Sequence, residues 1–249
     1  MNNDHSFFSG TSGLVLPIPQ ALYPAEFKGK SRLAYYASLF NSVEINSSFY
    51  KMPKESTVCK WAEGVPGNFQ FTFKLSKAIT HIKGLDYNAE DIGVFIQTIN
   101  HVGNKKGCLL IQLPPSLKIE KSNQLENLLL SIKAADPDNL WKVAIEFRNA
   151  SWYHEEVYDL LDQFKVTMVI QDLHASATPI TESKAGFMYV RFHGPGGKYR
   201  GSYSDDFLYQ YAESMKTWIR KGKTVYIYFN NTMGDAVKNL QTLNGFLKS

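Results

Sequence analysis

Cysteine is scarce in this chain. Cys59 and Cys108 are the only two among 249 residues, too few and too far apart for a disulfide framework or a paired metal or redox motif. Both read as small buried hydrophobes in a reduced, cytoplasmic protein. Long apolar runs are also missing: the greasiest stretch, CLLIQLPP, is far too short to cross a bilayer. The start, MNNDHSFFSGTSG, lacks the cationic segment and apolar stretch of a secretory signal. No membrane partner is therefore expected. The six histidines form no H-x-x-x-H or H-E-x-x-H pair, and neither a Walker sequence nor G-x-G-x-x-G occurs. Excess charge is small, at +4, which suits an anionic ligand but does not demand nucleic acid. No repeat, low-complexity segment or linker divides residues 1–249, so one domain is expected; the sequence sets no oligomeric state.

What the chain does have is alternation. Candidate strands run over 7–11, 42–46, 69–75, 108–113, 142–147, 166–171, 187–192 and 224–229. Strand side chains point to opposite faces with period two. Ser42, Glu44 and Asn46 thus oppose Val43 and Ile45. Likewise Gln70, Thr72 and Lys74 oppose Phe71 and Phe73, and Glu146 and Arg148 oppose Ile145 and Phe147. Tyr189, Arg191 and His193 oppose Val190 and Phe192, and Tyr226, Tyr228 and Asn230 oppose Ile227 and Phe229. Segments of helical spacing lie between most strands, introduced by Ser31, Asn88, Ser122, Ser151 and Ser204, each able to cap free N–H groups. A short helix is expected over 57–63 and a terminal one over 235–247. Eight strands alternating with helices in this length fit a (β/α)8 TIM barrel, with an open doubly wound sheet as the rival. One unit is irregular: 172–186 holds Pro179 and no helical period, so it is either a binding loop or coil replacing a helix.

In a barrel the polar faces converge inside, and ligands bind at the C-terminal strand ends. That places Glu44, Asn46, Lys74, Gln112, Glu146, Arg148, Arg191, His193 and Asn230 at one end. Internal ion pairs, Glu44 with Lys74 and Glu146 with Arg148 or Arg191, are one reading; a surplus of enclosed cations awaiting an anion is the other. The loop 193–201, HGPGGKYRG, adds Lys198 and Tyr199, and Asn230 and Asn231 precede a helix whose first N–H groups could receive an anion. Tyr50 and Trp152 offer flat rings to a sugar or base, or else staple loops to the core. His81, His174 and His193, with Glu44, Glu146 and Asp172, are the conceivable metal ligands. Nearby Arg and Lys oppose a divalent cation, so no metal and no other cofactor is expected.

The motifs GTSG, EINSSFYKMP, FTFKLSKAITH, LLIQLPPSL, AIEFRNASWY, YVRFHGPGGKY and VYIYFNNTMGDAVKN follow one another across nearly the whole chain. In this the sequence resembles the YecE-like family, domain of unknown function 72. The resemblance implies a TIM-barrel fold and supplies no reaction. Two positions depart from the family pattern: Leu14 follows GTSG in place of an aromatic, and Thr232 stands where the family usually has an acid.

The function expected from the residues is an enzyme, a hydrolase, isomerase or lyase, for a small phosphorylated or carboxylated, sugar-like substrate. Glu44 or Glu146 would be the general base and His193 the acid or proton shuttle. Lys74 would be an ion-pair member or a Schiff-base nucleophile. Asn46, Tyr50, Gln112, Arg148, Trp152, Asp172, Arg191, Lys198, Tyr199, Asn230 and Asn231 would bind substrate. The alternatives are a nucleic-acid-binding or processing barrel, a metal-dependent hydrolase or isomerase, and a non-catalytic sensor.

Overall fold

The computed structural model describes residues 6–180 and 183–248. Within them the strands are β1 (Phe7–Thr11), β2 (Ser42–Ile45), β3 (Gln70–Lys74), β4 (Lys106–Gln112), β5 (Lys142–Glu146), β6 (Thr167–Met168), β7 (Ile170–Gln171), β8 (Phe187–Phe192) and β9 (Thr224–Phe229). The helices are α1 (Arg32–Leu39), α2 (Ser47–Tyr50), α3 (Glu55–Glu63), α4 (Lys77–Thr80), α5 (Ala89–Ile99), α6 (Ser122–Ala135), α7 (Glu155–Gln163), α8 (Asp205–Arg220) and α9 (Ala236–Lys248).

The strands form two parallel sheets, ordered β1-β9-β8-β7 and β2-β3-β4-β5-β6, an α/β arrangement in which the expected eight-strand ring is not one unbroken ladder. The reason lies at two seams. At one, the expected strand 166–171 divides: Thr167 pairs with Ala144 of β5, and Ile170 pairs with Val190 of β8. Only Val169 separates the halves, and its N–H reaches Ile145 O at 2.8 Å. At the other seam, β1 and β2 meet through a single bridge, Ser12 opposite Glu44. Side chains replace the rest of the ladder there. Asn41 accepts from Ser9 N (2.9 Å) and donates to Phe7 O (2.8 Å). The Tyr36 hydroxyl accepts from Thr11 N (2.7 Å) and donates to Ser42 O (3.2 Å). This approach requires Gly10, because a Cβ on it would lie 2.1 Å from Ser42 O.

The alternation divides the core in two. Val43, Ile45, Phe71, Phe73, Ile145, Phe147, Val190, Phe192, Ile227 and Phe229 pack outward against the helices. Phe8, Cys108, Leu110, Ala144, Val169, Tyr189, Tyr226 and Tyr228 form a separate cluster. The second cluster is buried yet hydroxyl-rich: Tyr228 Oη bonds Ser42 Oγ (2.6 Å) and Thr72 Oγ1 (2.7 Å). Such pairing removes the cost of burying a phenol.

Helix starts follow the sequence in part. Ser31, Asn88 and Ser204 cap α1, α5 and α8. Ser151 instead lies in a one-turn helix, Ala150–Trp152, and His154 caps α7; Ser122 begins α6 with no side-chain cap before it. The segment 172–186 is coil, with Thr181 and Glu182 outside the described residues. Gln171 and Thr178 fasten it: Thr178 N donates to Gln171 O (3.0 Å), Leu173 N to Gln171 Oε1 (2.7 Å), and Thr178 Oγ1 to Val169 O (2.8 Å). A tethered coil thus stands where a helix would otherwise follow β7.

Gly10→Ala should lower stability by at least about 2 kcal/mol, since the clash is with backbone that cannot move aside. Urea unfolding of the variant against the parent measures this.

Candidate functional site

Glu44, Glu146, Arg191 and His193 are each no more than 1% exposed, and they form one network. Arg191 donates to Glu44 from Nε (2.9 Å to Oε2) and Nη2 (2.7 Å to Oε1), and to Glu146 Oε2 from Nη1 (2.9 Å). Ser12 Oγ and Tyr189 Oη complete Glu44, each donating at 2.6 Å. Arg148, just beyond β5, pairs with the other oxygen of Glu146. Register explains the convergence: Gln112 faces Glu146 across β4–β5, and Gln171 faces Arg191 across β7–β8.

Charge in this interior is fixed by its neighbours. Burial works to raise the Glu44 carboxyl, but Arg191, Ser12 and Tyr189 outweigh it and hold the group below the usual carboxylate range. Glu146 is likewise held well below it: burial is overcome by Arg148 and Arg191. Both acids stay ionised with their oxygens occupied.

His193 Nε2 lies 3.1 Å from Arg148 Nη2 and 3.2 Å from Arg191 Nη1. Guanidinium groups only donate, so Nε2 accepts and the ring is neutral with its proton on Nδ1. Burial, Arg191 and Arg148 push its pKa down against Glu146 and Asp172. Nδ1 is 3.4 Å from Asp172 Oδ1 yet makes no hydrogen bond; that oxygen accepts from the backbone N–H of His193 (2.8 Å). Tyr203 holds the other oxygen of Asp172.

Lys74 differs. The expected pair with Glu44 does not form, because Glu44 has no oxygen to spare. Lys74 Nζ donates to Gln112 Oε1 (2.8 Å) and sits 4.0 Å over the Phe49 ring. Among the described residues no carboxylate is in ion-pair contact with it. The residue is only 9% exposed. Burial first, then Arg191 and Arg148, push its pKa down to about 8, against the pull of Glu146 and Glu44. Gln112 is itself oriented: its Nε2 donates to Leu113 O (3.1 Å) and lies 3.4 Å from His81 Nε2.

Around the cluster, Tyr199 brings its hydroxyl to 3.4 Å from Arg148 Nη1 and its ring against His193. It does so from a left-handed backbone, φ 59°, a conformation that costs energy in a non-glycine residue. Lys198 is exposed, Tyr50 is 70% exposed, and Asn230 is half-buried. Asn46 buries its Oδ1 with no hydrogen-bond partner. Two expected ligand-binding residues serve packing instead. Trp152 is fully buried, stacked 5.0 Å from Phe147 with Nε1 on Leu117 O (2.8 Å). Asn231 ties loops, its Nδ2 donating to Gly201 O and Asn239 Oδ1, both at 3.0 Å. The N–H groups ahead of α9 are likewise engaged, Met233 on Tyr199 O (3.0 Å) and Asp235 on Gly201 O (3.1 Å).

The site also takes in Ser12 and Tyr189, which the sequence reading did not single out, along with the rim aromatics Phe49 and Tyr203. Alternation carried the signal for Ser12 and Tyr189, which share parity with Gly10 and Arg191. The described residues contain no group of three His, Cys, Asp or Glu arranged to hold a metal ion, and no helix among them is long and apolar enough to cross a membrane. A cavity of about 610 Å³ lies elsewhere, near the start of β1, between Phe7, Asn41, Arg220 and Asn244.

The family model described as "Protein of unknown function DUF72" matches residues 9–249. The chain belongs to the DUF72 family. Among DUF72-type relatives, the UPF0759 protein YunF of Bacillus subtilis is 26% identical over 88% of this chain and 87% of its own. The UPF0759 protein YecE of Escherichia coli is 29% identical over 41% of this chain and 38% of its own. A solved DUF72 protein from Thermotoga maritima superposes with TM-score 0.82 at 27% identity, covering 98% of this chain and all (100%) of that one. One from Enterococcus faecalis gives 0.80 at 21% identity, covering 98% and 96%, and shows likeness of fold.

For this DUF72 protein, Glu44→Gln should cost about 3 kcal/mol or more in urea unfolding, because it strips Arg191 of half its countercharge inside the protein. Lys74 makes a separate prediction about pH. Below about 8 its amine is protonated in both states, and the folded state carries the burial cost. From about 8 toward the ordinary 10.5 the unfolded chain alone keeps the proton, so stability rises with pH. Lys74→Met should remove that increment, seen as a flatter curve of unfolding free energy between those pH values.

Proposed function

We propose that the two sheets act as one (β/α)8 barrel whose C-terminal mouth is the active site of an enzyme for a small phosphorylated or carboxylated, sugar-like substrate. The observation that carries this reading is Lys74: a nearly buried amine with an amide and an aromatic ring as partners and no carboxylate. An enclosed cation left unneutralised is stabilised by an anion that arrives from outside. Arg148 supports the same reading, since its Nη1 has only a 3.4 Å contact with Tyr199 and its side chain reaches the surface. Asn46 and Asn230 follow the ends of β2 and β9, on the side of the sheets where the polar residues gather.

The division of labour among the charged residues follows from their partners. A general base needs a free lone pair and a pKa near working pH. Glu44 lacks both and Glu146 is held too far below working pH, so in this reading they hold Arg191 and Arg148 in place. His193, with Nε2 receiving two guanidinium bonds, positions Arg148 and is not open to a metal ion. Proton transfer then falls to Lys74, whose pKa of about 8 suits the task.

A thermal-shift screen tests the reading with sugar phosphates, sugar acids, neutral sugars and oligonucleotides. Anionic sugars should raise the melting temperature of the parent, by mass action, and lose that effect in Arg148→Ala and Lys74→Met. Because a bound anion raises the Lys74 pKa, titration calorimetry at pH 8 in buffers of different ionisation heat should show uptake of roughly half a proton per site. Response to oligonucleotides alone, falling steeply with salt, would favour a nucleic-acid function and overturn this one.

A further inference from the structure

We propose that Lys74 forms a covalent imine with an aldehyde or ketone that carries a phosphate or carboxylate. The inference rests on the anion-binding reading above and adds a bond-forming step to it.

Lys74 closes β3 and points its amine at two fixed groups. One N–H lies on Gln112 Oε1 at 2.8 Å, and the nitrogen stands 4.0 Å above the Phe49 ring. Gln112 cannot turn its amide over, because its Nε2 is engaged by Leu113 O at 3.1 Å and faces His81 Nε2 at 3.4 Å. A neutral amine has two N–H bonds and one lone pair. With one N–H on Gln112 and the other over the face of Phe49, the lone pair occupies the remaining direction. The lone pair is then engaged by neither contact, as a nucleophile's must be.

The surroundings make the neutral amine far more accessible than in an ordinary lysine. Every oxygen of Glu44 and Glu146 is already bonded, to Ser12, Tyr189 and Arg191 and to Arg191 and Arg148 respectively. Neither is free to hold a lysine proton. With a pKa of about 8, roughly a tenth of the amine is neutral at pH 7, against well under a thousandth for an ordinary lysine. His81, the other base in contact with Gln112, is also kept neutral by burial, Lys74 and Arg148. Burial lowers the Lys74 pKa most, and the arginines that add to it are the ones that would hold an anionic substrate, with Arg148 at the edge of the network.

The step balances without an oxidant or further reactant. The amine lone pair forms a C–N bond as the carbonyl π pair moves to oxygen. The oxygen gains a proton and the nitrogen loses one, giving a carbinolamine. Loss of the hydroxyl with one more proton releases water and leaves C=N. The net change is amine plus carbonyl to imine plus water, and a proton from solvent then converts the imine to an iminium.

The test uses the whole protein with pyruvate or glyceraldehyde 3-phosphate and sodium cyanoborohydride, read by intact mass and peptide mapping. The expected result is one reduced adduct, mapped to Lys74. Its rate should climb about tenfold per pH unit below 8 and level off above it. Plain glyceraldehyde, without the phosphate, should label Lys74 at least tenfold more slowly. Lys74→Arg should abolish the adduct; if that variant does not fold, the peptide map of the parent alone decides, by the share of label on Lys74. Label spread over exposed lysines without preference for Lys74 would overturn the inference. If anionic sugars still raise the melting temperature while Lys74 stays unlabelled, the covalent step fails and the anion site stands. If neither occurs, both fail.

Discussion

The guanidinium of Arg191 belongs to one sheet and both of its carboxylate partners belong to the other. Glu44 comes from β2 and Glu146 from β5, while Arg191 sits on β8. Among the described residues the seams hold little backbone pairing, the Ser12–Glu44 bridge at one and the bond from Val169 N to Ile145 O at the other; this ion triad joins the sheets at the end where the polar side chains gather. Three buried charges cost more to desolvate than a single pair returns. Here the balance is met by placing a donor on every carboxylate oxygen: Ser12 and Tyr189 on Glu44, Arg148 on Glu146. The geometry of His193 and Arg148 is then determined by what the triad leaves unoccupied.

Because the acids are spent on the arginines, Lys74 stands alone, and its chemistry follows from this. A lysine whose neighbours were free carboxylates would keep its proton and serve as a strut. Buried, and with the pull of the two carboxylates opposed by the two arginines, it gives the proton up more readily. The allocation of charge that satisfies the buried acids is thus the same one that leaves one amine without a carboxylate partner.

Much of this was legible in the chain. Period-two alternation placed Glu44, Lys74, Glu146, Arg191 and His193 on one face, and their burial in a connected interior follows that parity. A pairing of Glu146 with Arg148, two residues on in the same segment, or with Arg191 was also open to the sequence; that it takes both was not. The partner of Glu44 was not, since choosing between Lys74 and Arg191 requires knowing that β8 lies across from β2. Trp152 read as a rim aromatic because sequence cannot tell a ring above a strand end from one folded back onto Phe147. The break at Val169 left no mark either: 166–171 is uniformly suited to a strand, and only its two different neighbours split it.

Asn41 gives the β1–β2 seam a property that a ladder does not have. Peptide groups repeat along a strand, so paired strands can slide by two residues and find equivalent partners. A single carboxamide cannot: its oxygen takes Ser9 N and its nitrogen takes Phe7 O, and displacement of β1 in either direction would strand both. The seam is therefore indexed at one position, and Ser12 is delivered opposite Glu44 by a key cut into the chain 29 residues away from it, at Asn41.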